Sequence, residues 1–418
     1  MLLTSNDKAI LDGSRGEVLQ KAMEALVQLG EAFDAKDMVD IGYAHVHAGM
    51  ALYKGDVELI EELASLGAKM KVPSSTNIAN ADMGSWKQTN APEKLVLLQK
   101  RAEVAHQSMG TGGCFTCTPY WAGHWPTWNT HMVSIESGVT IFSNSILGAL
   151  SNRDGYFATY AGLTGRYPRF GYHLQENRKP THLIKIEASP SGTSDFTALG
   201  YAIGLKIINA VPLISGLKLR PNLDELDAMG VGMATSGGMA MFVLPDVTPP
   251  YTSENISIEN LPTFKINESD LRLVYDDFCN GKEQNFDIVH LGCPHASYEE
   301  MKHYAKLLNG KKISNNIELW ITTNRTVREM IRNTDLIKSI ESSGAKIISD
   351  TCPISCHFAR TVSPDPKLGI KPPKINAVVV DSAKQARYIR DMIHCPTLFT
   401  STEKAVESAV CGNFVPRW

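Results

Sequence analysis

The alternation of apolar and polar positions predicts helices and strands in turn along the first third of the chain. Residues 6–35 have the helical spacing of apolar side chains, interrupted near Gly13. The stretch "MVDIGYAHVH" is predicted to form a buried strand, "DVELIEELASLGA" a helix closed by Gly67, and "KMKVPSST" the next strand. The middle of the chain, residues 104–250, is rich in Gly, Ser and aromatic residues and lacks a clear period. Such loop-dense sequence commonly carries a functional site.

The last third has the clearest pattern. Four apolar strands, "FDIVHLG", "IELWITT", "AKIISDT" and "INAVVVD", alternate with helices. Four helix starts fit a capping box, in which two side chains three residues apart bind each other's backbone N–H groups: Ser297 with Glu300, Thr326 with Glu329, Ser382 with Gln385 and Thr400 with Glu403. Repeated strand–helix units of this kind predict an α/β fold with a parallel sheet covered on both faces. Right-handed crossovers then place the carboxyl ends of the strands on one edge.

Length and composition set the domain number and exclude several classes of protein. A chain of 418 residues exceeds the size of a single core, and we divide it into subdomains at 1–250, a connecting segment at 251–285, and a subdomain at 286–418. The net charge is −3 with no basic block, which argues against nucleic-acid partners and polybasic membrane contacts. There is no apolar run of about 18 residues and no signal-peptide pattern at the N-terminus. The sequence therefore predicts a cytoplasmic protein without membrane or nucleic-acid partners.

Chemically active side chains follow several of the predicted strands. Cys293 comes directly after "FDIVHLG", Cys352 after "AKIISDT", and Lys384 shortly after "INAVVV". In the first third, His47 and Asn77 end two more strands. Ligands of open α/β sheets bind outside the carboxyl ends of the strands, so these side chains are expected at a common site.

Each of these residues also has a simpler interpretation. A cysteine at a strand end is often a small buried filler, and Cys352 with Cys356 could be neighbours in a helical turn without a role. Cys114 and Cys117 have the spacing of half a zinc ribbon, but no second pair follows at the usual distance. Eight cysteines without a secretion signal favour metal ligation or burial over a disulfide framework. Lys384 is near a helix start, where the helix dipole disfavours a cation unless the cation meets an anionic ligand or solvent.

Three thiolates, one each from "TCTPY", "GCPH" and "DTCP", suit an iron–sulfur cluster better than zinc. With only three protein ligands, one iron keeps a free position and can act as a Lewis acid on a substrate oxygen. Hydroxide is a poor leaving group, so this arrangement suits a dehydratase, which also needs a base for the neighbouring carbon-bound proton. The number of iron atoms stays open.

Six blocks in order through the chain carry a family resemblance: "TCTPY", "ESGVTIFSNSILGALSNRDG", "GMATSGGMAMF", "DIVHLGCPHASYEE", "LWITTNRTV" and "DTCP" with "DSAK". On these blocks the chain resembles the aconitase X family. The resemblance implies an aconitase-like fold, with several α/β/α subdomains and largely parallel sheets around a central cleft. It further implies a small swivelling subunit as partner, because this chain has no room for the swivelling domain.

The resemblance also implies roles for individual residues. The cluster ligands would be Cys117, Cys293 and Cys352, and Cys114 would not be a ligand. Glu136 and Ser137 would hydrogen-bond a substrate hydroxyl or amine, and Lys384 would bind its carboxylate. Substrate contacts are implied for Val46, His47, Asn77, Glu136, Ser137 and Lys384. The residue that abstracts the proton is left open and could belong to the small subunit.

The substrate implied is a small hydroxylated carboxylate, first of all cis-3-hydroxy-L-proline, which would give a pyrroline-2-carboxylate. Phosphomevalonate is the alternative. The stretches "HVHAG" and "NIANAD" bring no additional Arg or Lys, which argues against a phosphate pocket. Two other hypotheses remain at this point: a non-catalytic iron–sulfur scaffold, and an α/β enzyme whose cysteines only fill its core.

Overall fold

The chain is built mainly from parallel sheets with helices packed against them. The structure, a computed structural model, describes residues 1–49, 51, 53–89, 91–111, 113–279, 285–356 and 375–418. The described strands are β1 (Met38–Asp40), β2 (Tyr43–Val46), β3 (Ser74–Thr76), β4 (His131–Ser134), β5 (Leu150–Arg153), β6 (Arg166–Pro168), β7 (His182–Ile186), β8 (Pro212–Ser215), β9 (Thr263–Ile266), β10 (Ile288–Ala296), β11 (Glu318–Thr323), β12 (Lys346–Ser349), β13 (Val378–Val380) and β14 (Thr397–Phe399).

Helices connect most of these strands. They are α1 (Ser5–Leu11), α2 (Glu17–Ala32), α3 (Lys54–Ser65), α4 (Glu93–Met109), α5 (Ser137–Phe142), α6 (Phe157–Thr164), α7 (Gly192–Lys206), α8 (Leu223–Gly237), α9 (Glu268–Phe278), α10 (Tyr298–Leu308), α11 (Arg325–Ile331), α12 (Asp335–Ser343), α13 (Ala383–Tyr388) and α14 (Thr402–Cys411). Both α5 and α13 continue directly into a π-helical turn, at Ser143–Leu147 and Ile389–Ile393. Such turns are frequent next to functional sites.

The strands form three parallel sheets and one short antiparallel ribbon within the described residues. Their orders are β3-β2-β4-β5, β8-β7-β9 and β12-β11-β10-β13-β14, and β1 pairs with β6 in the ribbon. This confirms the predicted α/β fold with largely parallel sheets. The stretch 251–285 includes β9 and α9, and β9 pairs in parallel with β7.

The first third follows the predicted order with one difference. The interruption near Gly13 is confirmed, because α1 ends at Leu11 and α2 begins at Glu17. The prediction of one strand over "MVDIGYAHVH" is wrong, since the segment forms β1 and then β2 in two different sheets. The chain changes sheets at Gly42, where a Cβ atom would lie 2.4 Å from the Cγ2 methyl of Thr130. Only glycine fits this close approach.

The helix starts of the last third are capped, but not always by the predicted residues. The box of Ser297 and Glu300 is confirmed, with both side chains bound to backbone N–H groups at 3.1 Å. The prediction for Thr326 is wrong, because Asn324 caps α11 by accepting from the N–H of Val327 at 2.9 Å. An Asn side chain is as good a cap as Ser or Thr, so the pattern alone could not choose between them.

The remaining two predicted boxes are incomplete or displaced. Ser382 accepts from the N–H of Gln385 at 3.4 Å, but the Gln385 side chain makes no reciprocal bond. The Thr400 box is wrong, because Ser401 caps α14 and the Thr400 hydroxyl donates to the carbonyl of Val415. With Ser401 as the N-cap, Glu403 is the second helical residue and not the third, as a capping box requires. The Glu403 carboxylate instead pairs with His303 at 3.1 Å.

Strand β10 carries an irregularity that sets the position of Cys293. Its register with β11 shifts between Leu291 and Ala296, and Gly292 has a φ of 88°. A Cβ atom on Gly292 would lie 2.2 Å from the carbonyl oxygen of Thr322. Only glycine readily adopts the positive φ at position 292, and only glycine leaves room for the carbonyl oxygen of Thr322. The resulting bend takes Cys293 and the residues after it out of the regular hydrogen-bond ladder with β11.

Replacing Gly292 by alanine is expected to destabilise the protein much more than the same change at Gly67. Gly67 also has a positive φ, of 82°, but a Cβ there would meet no described atom within 4 Å. Gly67→Ala should therefore cost only the conformational strain, about 1 kcal/mol. Gly292→Ala adds a backbone clash and should cost about 3 kcal/mol or more. Urea unfolding of both variants measures the difference, and equal losses would contradict this reading of β10.

Helices α7 and α8 pack with their backbones in contact. A Cβ on Gly200 would lie 2.0 Å from the carbonyl oxygen of Met229, and one on Gly232 would lie 2.4 Å from that of Thr197. This close packing holds α8 in a fixed position, and α8 carries the buried Asp227. The Asp227 carboxyl accepts a hydrogen bond of 2.8 Å from the hydroxyl of Tyr120, three residues after Cys117. Helix α8 thereby stabilises the loop that carries Cys117.

Candidate active site

The carboxyl ends of strands from two sheets meet at one cavity of about 380 Å³. One wall comes from the ends of β2, β3, β4 and β5, and the other from β10, from the segment after β12 and from α13. Its size is in the range of small-molecule sites. Its lining residues are His47, Ala48, Asn77, Ile78, Cys117, Ile135, Glu136, Arg153, Gly292, Cys293, His295, Cys352, Ile354, Ser355, Lys384, Gln385, Tyr388 and Met392.

Three cysteines from distant parts of the sequence line this cavity: Cys117, Cys293 and Cys352. Cys117 is held beside β3, because Phe115 forms an isolated parallel bridge with Thr76. All eight cysteines of the chain are free thiols in the structure. Cys114 is also buried, but it does not line the cavity.

Burial keeps the three lining cysteines protonated in the protein alone. It raises the pKa of the Cys293 thiol to about 12, against the opposing effect of the Lys384 charge. Burial also raises the pKa of Cys117 well above its usual value and that of Cys352 to a lesser degree. Thiolate formation here would therefore require a bound cation, and binding would release protons.

A mononuclear metal site is not evident among the described residues. No group of three or more His, Cys, Asp or Glu side chains there is arranged to hold a metal ion. A single ion needs all its ligands within one coordination sphere. The cysteines of a polynuclear cluster bind different iron atoms, so their sulfur atoms stand further apart.

A buried ion pair lines the same cavity as the three cysteines. Lys384, at the start of α13, contacts Glu136 with its Nζ 2.7 Å from the Oε1 atom, and Lys384 is only 5% exposed. Burial alone would raise the pKa of Glu136, but the Lys384 charge and hydrogen bonds outweigh it and lower this pKa to about 2. Burial opposes the charge of Lys384, yet Glu136 holds the pKa of the amine well above its usual value. Both groups are therefore charged at neutral pH.

The first residues of α5 fix the position of the Glu136 carboxylate. It is the N-cap of α5, and its Oε1 atom accepts from the N–H of Gly138 at 3.2 Å and from the Ser137 hydroxyl at 3.3 Å. Ser137 is buried and does not line the cavity. In the structure Ser137 therefore orients Glu136 and has no direct access to the cavity.

His47 follows β2 and lies on the same wall of the cavity as Glu136. Its Nδ1 atom accepts from the N–H of Gly49 at 3.0 Å, and its Nε2 atom lies 3.8 Å from Asp56. The imidazole packs on the ring of Tyr156, whose hydroxyl donates to Asp56. The neighbouring Val46 is fully buried in the core of the first third, so its side chain does not face the cavity.

Two amide groups at the cavity have unused hydrogen-bonding capacity. The Oδ1 atom of Asn77 and the Nε2 atom of Gln385 are buried and make no hydrogen bond of regular geometry to the described residues, although the Asn77 side chain interacts with the His45 imidazole. Buried polar atoms of this kind are rare unless a ligand or water satisfies them. They add one acceptor and one donor to the polar groups already at the site.

Sequence reasoning missed several lining residues, chiefly Arg153, His295 and Tyr388. Arg153 ends β5, in the same sheet as β2 and β3, so the strand-end argument could have found it. His295 stands two residues after Cys293 and Tyr388 one helical turn after Lys384, and both lay inside or beside stretches already singled out. Their contact with the cavity depends on the bend in β10 and on the end of α13, which periodicity does not reveal.

Comparison with known proteins assigns the chain to a family. The model described as "Aconitase X first domain" matches residues 1–176, the second-domain model matches 180–276, and the third-domain model matches 286–411. A solved structure, the holo-form of Thermococcus kodakaraensis aconitase X, superposes with a TM-score of 0.83 at 30% identity. The match covers 98% of this chain and all of that one.

Curated relatives cover nearly the whole chain. The phosphomevalonate dehydratase large subunit of Methanocaldococcus jannaschii is 32% identical over 97% of this chain and 100% of its own length. That of Methanosarcina mazei is 34% identical over 99% and 98%. The cis-3-hydroxy-L-proline dehydratase of Pseudomonas aeruginosa is 29% identical over 100% of this chain but 72% of its own length.

These matches define the class of protein first: it is an enzyme of the hydro-lyase type, a dehydratase. The chain belongs to the aconitase X family. The resemblance stated from the sequence is thereby confirmed. No helix among the described residues is both long and apolar enough to cross a membrane.

Proposed function

We propose that the chain is the large subunit of a dehydratase that removes water from cis-3-hydroxy-L-proline. In this reaction the bond from C3 to the hydroxyl oxygen breaks, and the C2 proton leaves to a base. The enamine formed then tautomerises to a pyrroline-2-carboxylate. The observation that carries the proposal is the joint lining of one cavity by three cysteines and the Lys384–Glu136 pair.

We assign Cys117, Cys293 and Cys352 to an iron–sulfur cluster. The lining also includes His47, His295 and Glu136, but each of these side chains is hydrogen-bonded to or paired with a protein group. The three thiols are soft donors, which suit such a cluster and not a hard cation such as Mg²⁺. When bound, a cluster with three protein ligands supplies a Lewis-acidic iron for the departing hydroxyl.

The charged residues of the cavity provide substrate binding. Lys384 is placed to bind the substrate carboxylate, and Glu136 to accept a hydrogen bond from the hydroxyl or the ring amine. Since its pKa is lowered to about 2, Glu136 is a weak base and is poorly suited to take a carbon-bound proton. We therefore place the base outside the described lining residues, on a small partner subunit.

The charge balance favours an amino acid over a phosphorylated substrate. Lys384 and Arg153 are the cations among the described lining residues, and Glu136 neutralises one of them. The carboxylate of a zwitterionic amino acid would pair with one cation of the cavity, and its amine with the one carboxylate. The amide groups of Asn77 and Gln385 would provide further hydrogen bonds. Phosphomevalonate would bring a phosphate and a carboxylate, which call for more cations than this wall offers.

The subunit organisation supports a second candidate, phosphomevalonate dehydratase. The relatives that match over their full length carry the name "large subunit", whereas the hydroxyproline dehydratase of Pseudomonas aeruginosa is longer than this chain. Both candidates imply a small partner that completes the enzyme. In the second case the additional cations would have to come from that partner.

The two candidates are separated by a turnover assay of the reconstituted pair. The chain is co-expressed with a candidate small subunit from the same genome, loaded anaerobically with iron and sulfide, and given each 3-hydroxyproline isomer or mevalonate 5-phosphate. We expect imine formation from the cis-3 isomer, followed as the coloured adduct with 2-aminobenzaldehyde, and none from a sample without iron. Turnover of mevalonate 5-phosphate alone would replace the first candidate by the second.

A further inference from the structure

We infer that His295 is a positioning residue that joins the three cysteine-bearing segments into one ligand set. The inference rests on the proposed function, since it concerns the cluster ligands assigned there. His295 lies in β10, two residues after Cys293, and is 1% exposed. Among the described residues no hydrogen bond joins His295 to the Lys384–Glu136 pair, but His295 lines the same cavity, so the test follows the cluster itself and not turnover.

The backbone and side chain of His295 contact both of the other cysteine segments. Its backbone N–H donates to the Sγ atom of Cys117 at 3.3 Å. Its Nδ1 atom lies 3.2 Å from the hydroxyl of Thr116, directly before Cys117. Its Nε2 atom lies 3.0 Å from the carbonyl oxygen of Thr351, directly before Cys352. One residue thus spans the segments that carry all three thiols.

The hydrogen-bonding partners determine the state of the imidazole. The carbonyl oxygen of Thr351 can only accept, so the proton is on Nε2 and Nδ1 is an acceptor. The Thr116 hydroxyl then donates to Nδ1, and its oxygen accepts from the N–H of Thr118 at 3.0 Å. The Thr118 hydroxyl in turn donates to the carbonyl of His295 at 3.3 Å. These hydrogen bonds form a closed network, and they are compatible with only one tautomer of His295.

The role of this network follows from where the cysteines stand. Cys117 is in a loop and Cys352 follows β12 by three residues, so neither is held by a regular ladder. Partners behind a ligand orient it, and their loss typically lowers metal affinity 10- to 100-fold. His295 does this for the two loops at once and ties both to the strand that carries Cys293. Its backbone N–H bond to Cys117 also favours a charged sulfur there.

His290 provides a matched control on the same strand. It is fully buried like His295, and its Nε2 atom contacts the hydroxyl of Thr322, within the same sheet. Replacing His290 removes a buried imidazole from β10 without touching either cysteine loop. A second control pair is Thr116→Val and Thr116→Ser, since valine removes the hydroxyl that donates to Nδ1 and serine keeps it.

The test measures the cluster itself. Wild type, His295→Leu, His290→Leu and the two Thr116 variants are reconstituted anaerobically with iron and sulfide. Iron and sulfide per chain, the rate of iron loss to a ferrous chelator, and the electron paramagnetic resonance of the reduced sample are recorded. We expect iron loss about 10-fold faster or more for His295→Leu and Thr116→Val, with a broadened resonance. His290→Leu and Thr116→Ser should behave as wild type.

The outcomes separate this inference from the proposed function. If wild type takes up no iron and sulfide, the cluster assignment fails and the inference falls with it. If wild type is loaded and His295→Leu retains iron at the wild-type rate, only the inference is overturned. Equal iron loss from His290→Leu would show a general effect of a missing core imidazole. If His295→Leu does not fold, as judged by unfolding of the iron-free chain, the Thr116 pair decides.

Discussion

Replacing Cys117, Cys293 or Cys352 by serine, one at a time, is expected to abolish turnover and to remove most of the bound iron. Each thiol lines the cavity, and a serine hydroxyl is a poor substitute for a soft thiolate ligand. We expect activity to fall at least about 1,000-fold, because the proposed chemistry depends on the cluster that these residues would hold. Iron and sulfide analysis of the anaerobically reconstituted variants, together with the turnover assay, measures both effects.

Cys114→Ser is the control for this series. Cys114 is buried in the same loop as Cys117 but does not line the cavity, so its replacement should leave iron content and turnover near wild type. Two results would contradict the ligand assignment. One is full iron retention in any of the three lining variants, and the other is complete loss in Cys114→Ser. The first result would revive the interpretation of the cysteines as core filler.

Removing Lys384 is expected to have the second-largest effect, on stability as well as on activity. In Lys384→Met the Glu136 carboxylate stays buried without its partner, and breaking a buried pair in this way costs about 3–5 kcal/mol. The double variant Lys384→Met/Glu136→Leu should recover much of that stability, because no unpaired charge remains. Neither variant should turn over substrate, since the proposed carboxylate-binding cation is absent from both. Urea unfolding and the turnover assay together test this combination.

The pH dependence of these variants gives an independent check. In wild type the depressed pKa of Glu136, about 2, contributes stability above the ordinary carboxyl range, and this contribution is lost as the pH falls towards 2. In Lys384→Met the largest effect that opposes burial is lost, and only the Arg153 charge and the hydrogen bonds at the start of α5 remain, so the pKa of Glu136 should lie above its wild-type value. The stability difference from wild type should therefore shrink as the pH is lowered. A difference that is constant with pH would mean that Glu136 is not the group left unpaired.

An exposed pair shows the contrast expected for surface charges. Lys265 and Glu187 are 64% and 48% exposed, so Lys265→Met should cost less than about 1 kcal/mol. A similar loss for Lys265→Met and Lys384→Met would indicate that the loss of a lysine, and not the buried charge, explains the result.

Topology explains how far the sequence could predict the site. Cys293, Cys352 and Lys384 were found because parallel strands with helical crossovers bring their carboxyl ends together, which the apolar pattern already indicates. Cys117 is different, since it lies in a loop outside the regular strands, next to the isolated bridge between Phe115 and Thr76. Periodicity contains no information about such a loop, and the family resemblance was needed to choose Cys117 over Cys114.

Predictions failed where local choices have nearly equal energies or where contacts are distant in sequence. Asn324 and Ser401 cap their helices in place of Thr326 and Thr400 because neighbouring polar residues compete as caps with small energy differences. His295 was missed for the second reason, since its partners Thr116 and Thr351 come from other parts of the chain. Such contacts exist only after the sheets have assembled.

The separation of the cavity walls along the chain has a consequence for biosynthesis. More than half of the polypeptide lies between Cys117 and Cys352, and the wall carrying Cys293 and Lys384 is among the last parts to leave the ribosome. At ordinary elongation rates of about 5–20 residues per second, the first wall waits many seconds for the second. A nascent chain that ends before residue 286 has only one of the three thiols, so the proposed cluster could be inserted only after translation of the final strands.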